Sequence, residues 1–282
     1  MTMTLTNREK KVLHEIREWE SRLYRYEPND FQKVYDKYIE RSFQLLPVKI
    51  REQFFSSIDN WLFHLQTFIQ GSELQLDAKE RILANARIFQ DRIESIEDMK
   101  LLSIEQLQYI AQQQIARHRL YSVAQGGLTG IGGTVFLSTD IPGIAVINLR
   151  VVQLIAMTYG IEVNTPFEMM TALKVFNIAA LPKRLQSQGW EELMNDIQLA
   201  DDTYFYEGSE DISNIAWVEQ LLKQGLKGLA IIFFKKKLIQ GIPFFSLAIG
   251  AGTNYQLTRK VTDFAHKYYQ MRYFLAKKGD LL

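Results

Sequence analysis

Cysteine is absent from the 282 residues. Its absence excludes disulfides, thiolate metal sites and cysteine nucleophiles together, and it fits a reducing compartment. Histidine is scarce. His14, His64, His118 and His266 stand far apart, and no H-E-x-x-H pair is formed, so zincin chemistry has no foothold. No G-x-S-x-G elbow occurs, which leaves a serine hydrolase without its nucleophile turn. His118 and Asp140 are the one pair worth testing for acid–base work. An excess of one charge is missing too: the net charge is +1, and nothing in that balance points to nucleic acid. The opening MTMTLTNREKKVLHEIREWE has no apolar signal-peptide core, so Sec export is not expected. Alternating strand patterns are nearly absent. No metal and no cofactor is expected.

What is present is a helix-forming chain with 47% hydrophobic and 23% charged residues, ordinary globular usage. Thr6 and Glu9 form a T-x-x-E capping box, followed by Val12, Ile16, Trp19 and Leu23 at helical spacing, with a stop at Pro28. A second helix is expected over Asp30–Leu45. A third is headed by Pro47, with Ile50, Phe54, Ile58, Trp61 and Leu65 as its stripe. Another is expected from about Asp77 to Ile93. Ser103 and Gln106 make a second capping box before Leu107, Ile110, Ala111 and Ile115. Asn164-Thr165-Pro166 is a helix start, and Asp201–Asp211 reads as a loop. Two apolar helices close the chain. The expected fold is an all-α multi-helix bundle with two apolar, glycine-rich helical hairpins, packed in the core or against a membrane. An N-terminal helical region, 1–100, leads into a glycine-rich helical domain, 101–282, and the two are read as continuous.

Charge is unevenly placed. Residues 221–282 hold eleven Lys and Arg against two Asp and Glu, while residues 201–220 hold six acids and no base. Such asymmetry marks either solvated helix faces or a surface for an anionic partner.

Residues 121–139 carry no charge, and Gly126, Gly127, Gly130, Gly132 and Gly133 fall within them. The spacing from Gly127 to Gly132 imitates a Walker A loop, but Gly133 stands where the lysine is needed and no strand precedes it. The dinucleotide pattern fails as well, with Val135 in place of the third glycine. Gly126 and Gly130 instead make G-x-x-x-G, and Ala248 with Gly252 its small-residue analogue, spacings that let helices approach closely in lipid or in a soluble core. A second uncharged run covers Leu238–Leu257. Ile141-Pro142 and Ile242-Pro243 head the two apolar stretches, without matching spacing beyond. A turn at Pro142-Gly143 would bring Asp140 to Arg150 as a buried pair or cap network. The alternative is a polar pocket between glycine-packed helices, lined by Asp140, Arg150, Lys236, Gln240 and Asn254. Lys235, Lys236 and Lys237 beside Phe233-Phe234 have the makings of a membrane-surface face, apolar stems below and ammonium groups above.

Several stretches, in order, resemble the EcsC family. They are SIEQLQYIA (Ser103–Ala111), GGLTGIGGTVFLSTDIPGI (Gly126–Ile144), Leu149-Arg150, QLIAMTYGI (Gln153–Ile161), and KLIQGIPFFSLAIGAGTNYQLTRKV (Lys237–Val261) with AHKYYQMRYF behind it. The resemblance covers most of the chain from about residue 30. Phe244-Phe245-Ser246 departs from the smaller, glycine-containing step expected after the proline, which bears on how closely the last helices pack there. The resemblance implies a protein encoded beside the ATPase and membrane subunits of an ABC exporter, in a system bearing on secretion and on proteolysis within the membrane. It carries over no catalytic residue. Partners implied are those transporter subunits and an anionic membrane surface. The expected location is the cytoplasmic side of the cell membrane, peripheral or shallowly inserted around Gly126–Tyr159 and Ile239–Leu257. The competing expectation is a soluble helical protein that holds a lipid or other amphiphile in the interhelical pocket.

Overall fold

The computed structural model describes residues 5–30, 73–131, 137–202 and 243–279. Among them there are seven α-helices and no strand, so the fold is all-α. The helices are α1 (Asn7–Tyr24), α2 (Glu73–Arg87), α3 (Ile104–Ile131), α4 (Leu137–Thr158), α5 (Pro166–Ala180), α6 (Lys183–Asp202) and α7 (Pro243–Gly279), with a 3₁₀ turn at Glu97–Leu101. The helix expected from Asp30, beyond its first residue, and the one headed by Pro47 lie outside the described residues. So do Gly132, Gly133, Lys235, Lys236, Lys237 and Gln240.

The expected caps form. Thr6 Oγ1 accepts from the Glu9 amide at 3.2 Å, and the Glu9 carboxylate accepts from the Thr6 amide at 2.8 Å. Ser103 and Gln106 make the same reciprocal pair at the head of α3. Thr165 caps α5 through the Glu168 amide, with Pro166 in the first turn, where its missing N–H costs nothing. The helix expected over Asp77–Ile93 sits earlier. It ends at Arg87, whose Nε donates to the Ile93 carbonyl at 2.9 Å and folds the following residues back as turns. At Asp201–Asp211 the first two residues belong to the last turn of α6, and the others lie outside the described residues.

α4 ends in a Schellman motif. Ile161 N–H reaches Ala156 O, Gly160 N–H reaches Met157 O, and Gly160 takes φ +78°. That left-handed step needs glycine.

The expected turn at Pro142-Gly143 does not occur. Both residues lie inside α4, in its second turn. A proline so near a helix start forfeits a single main-chain donor, and the helix continues because Leu149, Val151, Val152, Leu154 and Ile155 bury completely beyond it. α3 and α4 do pack on one another, and residues 132–136 between them lie outside the described residues.

α7, about 55 Å long at 1.5 Å per residue, is the axis of the molecule. It packs on α3, α4 and α5, and on α1. Aromatic rings lock α1 and α6 to it. Trp19 and Trp190 meet edge-on with centroids 4.8 Å apart, both meet Phe264, and Trp190 also meets Tyr268. The fully buried Trp190 keeps its indole N–H satisfied by donating to Glu20 at 2.8 Å.

Candidate functional site

Three groups of contacts set the register of α3, α4 and α7. Arg119 of α3 donates to Thr262 Oγ1 at 3.0 and 2.8 Å and pairs with Asp263 at 2.6 Å. Tyr159, just past α4, meets His266 Nε2 at 2.8 Å. Towards the far end of α7, Tyr273 and Lys277 donate to the buried Glu9, whose neighbour Arg8 pairs with Glu105 at the start of α3. α7 therefore runs antiparallel to α3. Its first half, with Pro243, Gly252 and Asn254, lies along the last half of α3, with Gly126, Gly127 and Gly130. Five residues separate the end of α3 from the start of α4, whose first turns hold Asp140 and Pro142. The two glycine-rich stretches thus occupy one pole of the bundle, although about a hundred residues separate them in the chain.

Near that pole, apolar side chains face outward. On α3 Leu120 is 67% exposed and Tyr121 is also exposed; on α7 Tyr255 is 37% exposed. Gly252 is exposed, and a Cβ added to it would meet nothing within 4 Å. Arg117 and Arg259 are exposed further from the pole, near the middles of the same helices, and Arg150 is partly exposed past the middle of α4. The opposite pole is closed by the Glu9 contacts and by the bidentate Arg272–Glu168 pair at 2.6 and 2.7 Å. No described helix is long and apolar enough to cross a membrane.

Inside, two of these helices carry polar residues every four positions: Gln114, His118 and Ser122 on α3, and Asn254, Thr258, Thr262, His266 and Gln270 on α7. Four-residue spacing keeps each series on one helix face. All but His266 are buried, and so is Asn148 of α4. Several of these groups are satisfied within their own helix. Asn148 Nδ2 donates to Ile144 O at 2.7 Å, Ser122 Oγ to Arg119 O at 2.7 Å, and Thr262 Oγ1 to Arg259 O at 3.1 Å. Asn148 Oδ1, Asn254 Nδ2, Gln114 Oε1, Thr258 Oγ1 and His118 Nε2 have no partner among the described residues.

Of the residues expected to line a pocket, only Arg150 and Asn254 have described side chains. Asp140 and Arg150 share α4 ten residues apart, about 15 Å along the axis, too far to pair. Asn254 is buried at 1% exposure between helices. Lys236 and Gln240 lie outside the described residues, as does the lysine face 235–237. The His118 ring hydrogen-bonds its own helix at Gln114 O, 2.9 Å away. Gly126, Gly127 and Gly130 are helical, in α3, so the glycine stretch up to Ile131 is no phosphate loop. No group of three or more His, Asp or Glu among the described residues is placed to hold a metal.

What residue-by-residue reading missed is the neighbourhood of His118. Burial pushes this imidazole down to about 4; the Gln114 bond opposes the shift, and Arg150, Arg117 and Arg81 reinforce it. Arg150 is lowered by burial and by Arg81, while Tyr121 and Asp77 offset part of this. The available signal was the four-residue polar period on α3 and α7, which a search for catalytic motifs passes over.

The glycine-rich pole and the long polar-seamed α7 belong to a recognisable pattern: the model of the EcsC protein family matches residues 10–274. The chain belongs to the EcsC family. It is similar to a Bacillus subtilis (strain 168) protein described as "Uncharacterized protein YdbA", 24% identical over 272 residues that span 94% of this chain and 92% of the relative. No solved structure matches it. The EcsC match takes in α1 from its second turn as well as the glycine-rich helices, so the helices at both poles fall within it.

Proposed function

We propose that this EcsC-family protein is a non-enzymatic, membrane-associated accessory protein of an ABC transport system. It acts on the cytoplasmic side of the membrane and presses its glycine-rich pole against lipid or against the transporter's helices. The observation that carries this reading is the gathering of both glycine-rich stretches at one pole, with outward-facing Leu120, Tyr121 and Tyr255 on the helices that lead to it and the cations Arg117, Arg150 and Arg259 nearer the middles of those helices and of α4. Tyrosines with an apolar body and a wet hydroxyl favour the membrane–water interface. Arginines near an anionic leaflet add about 1 kcal/mol each. The association with a transporter and with secretion rests on what the EcsC resemblance implies. Fractionation of the tagged protein from its native cell is the test. Membrane recovery with release by high salt supports an electrostatic peripheral protein. Retention through carbonate supports shallow insertion of the pole. Recovery in the soluble fraction overturns the proposal.

One observation favours a second reading, a soluble protein holding an amphiphile between helices. The unpartnered atoms of Gln114, Asn148, Asn254 and Thr258 are buried donors and acceptors of the kind a bound polar group satisfies. Extraction of purified protein and mass analysis of what it carries decides it: a stoichiometric amphiphile supports this reading, and a clean extract removes it.

A further inference from the structure

The outer side of α3 carries an apolar stripe. Tyr109, Gln113, Ala116 and Leu120 follow one another at steps of four, three and four, the spacing of a coiled-coil seam. Tyr109 is 54% exposed, Leu120 and Ala116 are exposed, and Gln113 is half-buried. Among the described residues no helix covers this seam. Eleven residues bring Tyr109 and Leu120 to within about 20° of one another around α3 and about 16 Å apart along it. The segment just past α2 widens the stripe at its Tyr109 end. Phe89 meets the Tyr109 ring edge-on with centroids 6.0 Å apart, and Ile88 beside it is 77% exposed. Asn85 of α2 fixes the middle of the stripe by donating to Gln113 Oε1 at 3.1 Å.

The residues along the stripe say what suits it. From Gln106 to Ile131 α3 has no carboxylate, and Arg117 is its exposed cation. Gln112 and Gln113 sit in mid-stripe, where hydrocarbon would leave their amides unbonded and a protein surface can bond them. The stripe is also self-complementary. A second α3 laid antiparallel, with the two-fold axis level with the step from Gln114 to Ile115, sets Tyr109 against the partner's Leu120. The same operation sets Gln113 against the partner's Ala116. It sets Arg117 against the partner's Gln112, whose amide oxygen accepts from a guanidinium. Parallel in-register pairing would instead place Arg117 beside its own copy, with no carboxylate on the face to offset the repulsion.

We propose that the outward stripe of α3, widened by Ile88 and Phe89, is the interface of an antiparallel two-fold homodimer. An isologous contact of this kind covers the exposed apolar side chains of both copies at once. It is independent of the membrane reading above: it takes Leu120 into the interface and leaves the glycine-rich pole, with Tyr255, facing outward.

The chain has no cysteine, so introduced thiols report on the seam without background. The full chain carrying Tyr109→Cys and Leu120→Cys together is oxidised with copper phenanthroline and run on a non-reducing gel. A disulfide needs Cβ atoms about 4 Å apart, so the two positions cannot bond within one helix. The double variant is expected to give a covalent dimer, and neither single variant to do so. Covalent dimers from each single variant overturn the antiparallel arrangement, and no covalent dimer from the double variant overturns the interface. Sedimentation equilibrium of the cysteine-free chain is the second measurement. The wild type is expected to dimerise at micromolar concentration. Leu120→Glu, at an exposed position, weakens the dimer by at least about tenfold, because two copies of a charge enter an apolar seam. Adding Tyr109→Lys to Leu120→Glu sets opposite charges against each other across the two-fold and recovers part of that loss, which a folding defect would not. A monomeric wild type overturns the proposal, as does a Leu120→Glu dimer of unchanged strength. A monomer whose vesicle sedimentation is lost in Leu120→Glu gives the stripe to lipid, which overturns the dimer and keeps the membrane reading. A dimer that stays off vesicles does the reverse.

Discussion

Glu9 shows how much a single side chain decides here. It closes the capping box of α1, and it is the buried acceptor for Tyr273 and Lys277 of α7. Burial by itself would raise its carboxyl; the Lys277 contact, with the bonds from Thr6 and Tyr273, holds it down to about 2. Histidines work in the opposite sense. Loss of water around the partly exposed His266 pushes it down to about 3, helped by Lys267 and Arg119, as burial pushes His118 down to about 4. Both are neutral in the fold and have an ordinary value of 6.5 when it opens. Their folded values are depressed, so their contribution is complete above pH 6.5 and is lost as pH falls from 6.5 towards 4 and 3. At pH 5 the unfolded chain gains about 2 kcal/mol per histidine from protonation. Urea midpoints should therefore drop between pH 7 and pH 5, and His266→Gln, which still accepts from Tyr159, should flatten that drop. A second prediction concerns Gly160. Its φ of +78° is left-handed, so Gly160→Ala should cost about 1–2 kcal/mol in the unfolding midpoint.

Helices approach most closely where glycine removes a side chain. A Cβ at Gly189 of α6 would stand 2.6 Å from Ile178 Cγ2 and 2.8 Å from Ile178 Cγ1 of α5. Those atoms belong to a β-branched side chain in a fully buried position, which has little room to move. Gly189→Ala is expected to cost about 1–3 kcal/mol by overpacking. Ile178→Ala alone should cost more, through the cavity it leaves. The double variant should be less damaged than the sum of the two, and a double-mutant cycle on chemical denaturation midpoints reads that coupling directly. Gly252 is the contrary case: a Cβ there meets open space. The small-residue spacing of Ala248 and Gly252 looked like a packing motif in sequence, and Gly252 turns out to sit on the surface. α4 offers a similar lesson. Pro142 and Pro243 look equivalent in sequence, but Pro243 begins a helix and Pro142 rides inside one.

Across the molecule, the two poles differ in what holds them. One is closed by Glu9 with Lys277 and Arg272 with Glu168. The other gathers glycine-rich helix ends, with outward aromatic and aliphatic side chains on the helices that lead to it. If the second pole meets the membrane, sedimentation with phosphatidylglycerol vesicles should fall steeply as salt shortens the screening length from about 10 Å to about 3 Å. Gly130→Leu should reduce that sedimentation, or the salt-resistant part of it, while far-UV circular dichroism stays helical. Unchanged sedimentation with unchanged folding would count against the pole as the contact surface. Arg117→Gln should weaken vesicle binding by several-fold, since each such charge is worth about 1 kcal/mol at an anionic surface.

Local and periodic features were legible from residues alone. The capping boxes at Thr6 and Ser103, the Thr165-Pro166 start, the helical stripes and the all-α class depend on contacts within four residues, and those contacts form wherever the helix does. The EcsC resemblance was legible too, because it rests on ordered motifs. Tertiary packing decided the rest. It carried α4 straight through Pro142, since the burial of its apolar face outweighs one lost hydrogen bond. By doing so it separated Asp140 from Arg150, a pair that existed only if the chain turned there. It joined Glu9 to Lys277 across 268 residues and Arg119 to Thr262 across 143. It also packed α2 against α3 and α4, a contact set by the summed burial of whole helix faces. No local pattern in the chain encodes that sum.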